Sequence, residues 1–437
     1  MAKELCLKVF EDRSELISAD KREVFLEGAP STEAKERYKK IATALAEGHL
    51  EKVISRCVAE PQSLSIDKLD SAQTDLLDSL VAAMTSEQGR ALIGLTVMQL
   101  CIKSIEPEQS VRLHKGGSSK DGFSWRDGIS MRSLDKKFIT PALRRHNLLK
   151  LNQDGFMMTR TLAENYPYSK VYKARIRGAR AQWAEIVERV EAGKFDPLAA
   201  LQYLIAKLLN NAEAFKSLAH NTVETLERLL TAGKVRSSQD VLEIINRHIS
   251  ESDYAARIME IAMHSLMQAL SDKDALGDLT LKPLSQMRSA NKKHGNIGDI
   301  ELLDEGDGIV VSWDAKYGKA YLREELEELD DKLSDHDAVR VAGFVVTSEP
   351  ERTRELNRRR SQIESEKDIE LPIVTLEDWV ARQFARGAGS EVKERALAVS
   401  WLKAYVESIA QMRPDIAPID EPCQQWLESL RDILTAG

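Results

Sequence analysis

Gly298-Asp299-Ile300-Glu301, and after it Val311-Ser312-Trp313-Asp314-Ala315-Lys316-Tyr317-Gly318, is the stretch on which the fold turns. Its flanks read as two strands, Ile297–Leu303 and Gly308–Trp313. Between them lies an acidic turn, Asp304-Glu305-Gly306-Asp307, whose residues suit a reversal of the chain. Alternate side chains of a strand share a face. Asp299 therefore projects with Glu301, and Asp314 with Lys316. If the strands pair, three carboxylates and one ammonium converge at one spot. Gly295, Gly298 and Gly318 leave room for a polymer backbone to come close.

Working outward, Tyr321–Leu333 reads as a charged helix and Val339–Thr347 as a buried strand. A helix over Glu351–Glu366, the strand Leu371–Leu376 and further helix follow. The preceding segment, Tyr254–Leu270, carries Ile258, Ile261, Ala262, Leu266 and Leu270 near helical spacing. Residues 254–380 thus read helix, strand, strand, helix, strand, helix, strand, an α/β (α+β) core with a small mixed sheet. Residues 1–110 read as a helical N-terminal region, on the strength of Glu33–Leu50, Ser71–Thr85 and Gln88–Ser104. Residues 181–253 read as a helical connector and 381–437 as C-terminal helices.

Packed carboxylates repel one another unless a cation sits between them. Hard oxygen ligands suit Mg²⁺, which takes one or two carboxylates and completes its shell with water and substrate phosphate. A bound divalent ion acidifies its water and stabilises charge on a phosphate. A neighbouring lysine can orient or help deprotonate that water.

Asp299, fourteen intervening residues, then Asp314-Ala315-Lys316, following a helix, resembles the PD-(D/E)xK nuclease core. Type II restriction endonucleases share that core with several repair and recombination nucleases. The resemblance covers about residues 254–380. It implies that Asp299 and Asp314 bind Mg²⁺ and that Lys316 is the family lysine. It also implies a further carboxylate from the preceding helix, for which Glu260 is the candidate, or else an exposed helix residue. Glu301 is either a third metal ligand or a surface residue. One departure is Gly298, where the family motif places proline. His264 reads as a packing residue, and His294, in Lys292-Lys293-His294-Gly295, as a phosphate-facing loop residue.

The 437 residues carry 62 Lys and Arg against 70 Asp and Glu, a formal net charge of −8 that argues against a nucleic-acid partner if taken as an average. The distribution reverses that argument. Residues 112–180 hold 16 Lys and Arg and 5 Asp and Glu, a net of +11, which leaves −19 for the rest. Such a segment gains affinity for phosphates by counterion release. It contains the Gly-rich loop Lys115–Phe123 and a helical stretch, Ser130–Arg145, that Pro141 kinks or restarts. A hairpin candidate follows, Leu148–Leu151 with Phe156–Thr159 around Asn152-Gln153-Asp154-Gly155. Helix plus hairpin resembles a winged helix. Arg126, Arg132, Lys136, Lys137, Arg144, Arg145, Lys170 and Lys173 are the DNA-binding candidates, with Tyr166, Tyr168 and Tyr172 interleaved to stack. The arginines of Glu351–Glu366 alternate with glutamates and read better as a salt-bridged solvent face.

Other classes drop out. No apolar stretch is long enough for a membrane span, and the N-terminus has no signal-peptide character, so the chain is expected to be cytoplasmic. The four scattered cysteines form no Cys-x-x-Cys pair, and no P-loop for a nucleotide cofactor occurs. The expected function is a Mg²⁺-dependent type II restriction endonuclease on double-stranded DNA, acting as a homodimer because two-fold sites need two active sites. The alternatives are a repair or modification-dependent nuclease of the same fold and a non-enzymatic DNA-binding regulator.

Overall fold

The structure is a computed structural model and describes residues 5–18, 21–82, 87–117, 122–149, 160–172, 179–284, 295–319, 321–348, 354–388, 393–411 and 422–436. The fold is mixed α+β and mainly helical, with one five-stranded mixed sheet and one three-stranded sheet. Backbone contacts divide it into two compact units, Met1–Ala214 and Phe215–Gly437.

The first unit opens with strands β1 (Cys6–Val9), β2 (Arg13–Ile17) and β3 (Arg22–Leu26), an antiparallel sheet in that order. The helical reading of residues 1–110 did not include this sheet. Strands of four or five residues are too short for periodicity to separate them from a helix, and the packing decides. Leu16 and Phe25 bury themselves against Leu113 and Trp125. Helices α1 (Thr32–Ala46), α2 (His49–Ala59), α3 (Ser71–Ala82) and α4 (Glu87–Ile105) follow. The Ser31 hydroxyl caps α1 by accepting from the Ala34 N–H at 3.1 Å. Leu92, Ile93, Leu95, Val97, Met98, Leu100, Cys101 and Ile102 of α4 are all fully buried. A helix apolar all round belongs in the middle of a core, and α4 is this unit's centre.

The expected helix at Ser130–Arg145 is present in three joined pieces. These are α5 (Met131–Leu134), a π-helical turn (Asp135–Ile139) and α6 (Thr140–Arg145). Pro141 has no N–H to give and its ring crowds the preceding turn. The wider π turn directly before it absorbs that misfit, and the Thr140 hydroxyl donates to Asp135 Oδ1 at 2.9 Å across it. Leu148 and Leu149 follow as buried, irregular chain. The rest of the expected hairpin lies outside the described residues. Helix α7 (Arg180–Glu191) comes next, and the division between the units falls inside the long α8 (Pro197–Thr231).

The second unit contains α9 (Ser238–Ser250) and α10 (Ala255–Ser271), then β4 (Thr280–Leu281), β5 (Ile300–Leu303) and β6 (Ile309–Lys316). After these come α11 (Arg323–Leu333), β7 (Val341–Val346), α12 (Arg354–Lys367), β8 (Ile373–Thr375) and α13 (Leu376–Ala388). Helices α14 (Glu394–Gln411) and α15 (Cys423–Ala436) close the chain. The sheet order is β4-β5-β6-β7-β8. Strands β4, β5 and β6 run antiparallel to one another in turn, whereas β7 and β8 run parallel to β6. Parallel neighbours need crossover connections, and α11 and α12 supply them.

Each sheet face has its own core, as strand alternation requires. Ile300, Leu302, Trp313 and Val345 pack with α10, Trp379 and Trp401. Ala342, Phe344 and Val346 pack on the other face with Leu326 and Leu329 of α11 and Leu356 and Ile363 of α12. The salt-bridged reading of α12 agrees with its contacts, since Arg359 Nη2 bonds Glu327 at 2.7 Å and Asp330 at 2.5 Å. Among the described residues no helix is long and apolar enough to cross a membrane.

Candidate active site

The β5–β6 register assembles the site. Ile300 pairs with Trp313 and Glu301 with Ser312. The ladder continues one residue further, because the Asp299 N–H donates to the Trp313 carbonyl at 2.9 Å. Asp299 and Asp314 are therefore opposite one another. The Ala315 N–H donates to Asp299 Oδ2 at 3.0 Å and fixes that carboxylate beside β6. Lys316, two residues on and on the same face, places Nζ 2.8 Å from Asp314 Oδ2 and 5.7 Å from the centre of the Phe344 ring.

Gly298 is required by this geometry. A Cβ there would lie 2.6 Å from the Ser312 hydroxyl and 2.8 Å from the Trp313 carbonyl oxygen. The strand starts at Ile300 rather than at the expected Ile297, and 297–299 form a bend that delivers Asp299. At the far end the Asp304 carboxylate accepts from the N–H groups of Gly306 and Gly308, both at 2.8 Å. This fixes the turn that sets the register.

The electrostatics follow from the crowding. Burial, then the charges of Asp314 and Glu260, then a hydrogen bond to Asp314 push the Asp299 carboxyl well above the carboxylate range, and the Ala315 N–H opposes them. Burial pulls the Lys316 ammonium down, but Asp314, by charge and hydrogen bond, with Asp299 and Glu325 behind it, raises it on balance. The 2.8 Å ion pair with Asp314 suits Lys316 to holding a phosphate oxygen or a water beside that carboxylate.

Glu260 lies on α10 and is buried. Burial and Asp314 raise its pKa, while Arg257 opposes by charge and hydrogen bond. The Arg257–Glu260 pair, one helical turn apart, holds the carboxylate within α10. Glu325 of α11 bonds Lys319 at 2.8 Å. His264 is a buried packing residue as expected, with Nε2 3.1 Å from the Lys282 carbonyl oxygen. His294 lies outside the described residues.

Glu301 shares the face of Asp299, as alternation requires, but its carboxylate is committed elsewhere. Oε1 accepts from the Ile297 N–H at 2.6 Å and the Gly298 N–H at 3.3 Å. Oε2 is 2.6 Å from Lys282 Nζ. The structure thus gives both oxygens partners other than the Asp299–Asp314 pair.

Two opposed, half-buried carboxylates, of which Asp299 is pushed well above its ordinary pKa, fit a hard divalent cation, which removes the repulsion between them. Asp299 and Asp314 would hold it. Among the described residues no group of three His, Cys, Asp or Glu side chains forms a ready ligand set. Two carboxylates suit a hard cation that completes its shell with water and phosphate.

The basic segment divides in two. Arg126, Arg132, Lys136, Lys137, Arg144, Arg145 and Lys170 are all exposed, while Lys173 lies outside the described residues. Arg145 pairs with Glu51 at 2.8 Å and Lys170 pairs with Glu185. Arg126, Lys136, Lys137 and Arg144 make no ion pair among the described residues. Arg112 is buried and bidentate to Glu188, at 3.0 and 2.7 Å.

The tyrosines require correction. Tyr168 and Tyr172 are fully buried, and Tyr168 stacks on His114 at 4.4 Å and meets Trp183 edge-on at 5.0 Å. They build the core and offer no stacking surface, because rings this large are needed to fill the space between 112–114 and α7.

Sequence reasoning missed Arg257, Lys282, Asn296 and the steric role of Gly298. The spacing of Arg257 and Glu260 was a signal for the first. Lys282 had none, since its partner Glu301 is 19 residues away. No protein-family model matches the chain, and no curated protein matches it either.

Proposed function

We propose that this chain is a Mg²⁺-dependent endonuclease that hydrolyses phosphodiester bonds in double-stranded DNA, of the type II restriction class. The observation that carries the reading is the convergence of Asp299, Asp314 and Lys316 on one face of β5 and β6. The order of elements supports it. A helix, an antiparallel β5–β6 hairpin, a crossover helix and a parallel β7 match the PD-(D/E)xK arrangement. The resemblance assigns the metal-ligand role to Asp299 and Asp314.

Mg²⁺, when bound, supplies positive charge to the phosphate and acidifies a water. The rest is done by side chains. Asp299 and Asp314 would hold the ion. Lys316, beside Asp314, hydrogen-bonds a non-bridging phosphate oxygen or aims the water at phosphorus. The water oxygen bonds to phosphorus as the bond to O3′ breaks, leaving a 5′-phosphate and a 3′-hydroxyl. Arg126, Arg132, Lys136, Lys137 and Arg144 supply phosphate and groove contacts. A homodimer follows from two-fold DNA sites, with one active site per strand.

Incubating the purified protein with supercoiled plasmid and Mg²⁺, then sequencing the cut ends, tests this. Recurrent ends at one short sequence are expected. Asp299→Asn and Asp314→Asn should each abolish cutting while DNA binding in Ca²⁺ persists. Cutting at the wild-type rate by both variants removes the site assignment. Binding without any cutting by the wild type would favour a non-enzymatic regulator.

A further inference from the structure

The bend that delivers Asp299 is held from three sides. Glu301 of β5 grips the N–H groups of Ile297 and Gly298. Lys282, next to β4, bridges Glu301 Oε2 at 2.6 Å and Asn296 Oδ1 at 2.8 Å. Lys332 of α11 donates to the Ile297 carbonyl at 3.3 Å. Lys282 is itself fixed, because its N–H donates to the Glu301 carbonyl at 2.9 Å and its own carbonyl oxygen meets His264 of α10. Asn296, Ile297 and Glu301 are all buried, so these bonds form away from competing water. A buried carboxylate with one lysine partner depends on that partner, since removing it strands a charge.

We propose that Lys282 is a positioning residue for metal binding, acting through Glu301 and Asn296 to hold Asp299 opposite Asp314. This rests on the two-carboxylate reading of the site above. Lys282 touches neither carboxylate of the pair. It completes the clamp on 296–298, and the direction of the Asp299 side chain is set by that bend. Groups that orient metal ligands in this way are worth about 10–100-fold in metal affinity.

Mn²⁺ binding to the full-length chain, measured by titration calorimetry without DNA, is the test, with thermal unfolding alongside. Lys282→Met should weaken Mn²⁺ binding by about 10–100-fold, and Lys282→Arg, which keeps the charge, should recover most of it. Asp299→Asn is the control. If it binds Mn²⁺ like the wild type, the two-carboxylate reading falls, and this proposal with it. If Asp299→Asn loses binding while Lys282→Met keeps wild-type affinity, the site stands and the role of Lys282 is refuted. A lowered unfolding temperature with unchanged affinity also refutes it, since that is what a purely structural lysine would give. Should Lys282→Met fail to fold, Asn296→Ala removes one arm of the clamp. Weaker Mn²⁺ binding in that variant supports the proposal, and wild-type affinity overturns it.

Discussion

At the scale of single residues, Gly298 shows how tightly the chemistry is bound to the backbone. The PD-(D/E)xK pattern places proline before the first acid. Here the position admits no side chain, because β6 passes too close to leave room for one. Gly298→Ala should cost about 1–3 kcal/mol of stability, the usual penalty for forcing atoms into a packed site. Cleavage should fall further than that loss of folded protein explains, because the bend can relieve the clash only by moving Asp299. Urea unfolding and single-turnover cleavage on the same preparation separate the two effects. Lys316 was legible as a lysine on the face of Asp314, but their 2.8 Å ion pair was not. Glu301 was legible as an acid on the face of Asp299, whereas its bonds to Ile297, Gly298 and Lys282 were not. Alternation gives the face of a side chain and says nothing about which neighbour on that face claims it.

At the scale of elements, the hairpin, α10, α11 and the parallel strands were legible because their patterns are long or bounded by turns. The β1–β3 sheet was not, because its strands are short and their partners Leu113 and Trp125 are distant in sequence. The tyrosines of 166–172 were misread for a related reason, since interleaved lysines mark exposure only when the backbone is regular.

The packing of α9 leads to a pH prediction. His248 Nε2 faces the Trp426 carbonyl oxygen at 2.8 Å, and Nδ1 faces the Tyr405 hydroxyl at 2.6 Å. A carbonyl only accepts, so Nε2 carries the proton and Nδ1 accepts from Tyr405. The neutral ring is satisfied and fully buried. Burial therefore lowers its pKa from 6.5 to about 4, against the pull of the Trp426 carbonyl. Between those values the unfolded chain binds the extra proton. The stability from this group is complete above pH 6.5 and is lost as pH falls toward 4, by about 3 kcal/mol. His248→Gln keeps one donor and one acceptor but does not titrate. Its urea midpoint should fall less than that of the wild type between pH 6.5 and 4.5. Parallel curves would show that the acid sensitivity originates elsewhere.

At the scale of the whole molecule, the net charge of −8 describes neither part of the chain well. The basic excess is confined to residues 112–180, and of its cations Arg112 is spent on the core. Lys136, Lys137 and Arg144 are the surface charges to test. Replacing all three with alanine should weaken DNA binding at every sequence and lower the salt slope by about one for each phosphate no longer neutralised. An unchanged slope, measured by fluorescence anisotropy across a salt series, would move recognition to another surface.

The acidic turn at 304–308 has a consequence for how this chain tolerates change. Exposed turns usually accept insertions and deletions freely. This one sets the count of residues between the two opposed acids. A slip of one residue turns every side chain of a strand to the opposite face. Losing a single codon from this solvent-exposed turn would separate Asp299 from Asp314 while leaving each acid in the sequence. The site is thus most easily silenced at a position that carries none of its chemistry.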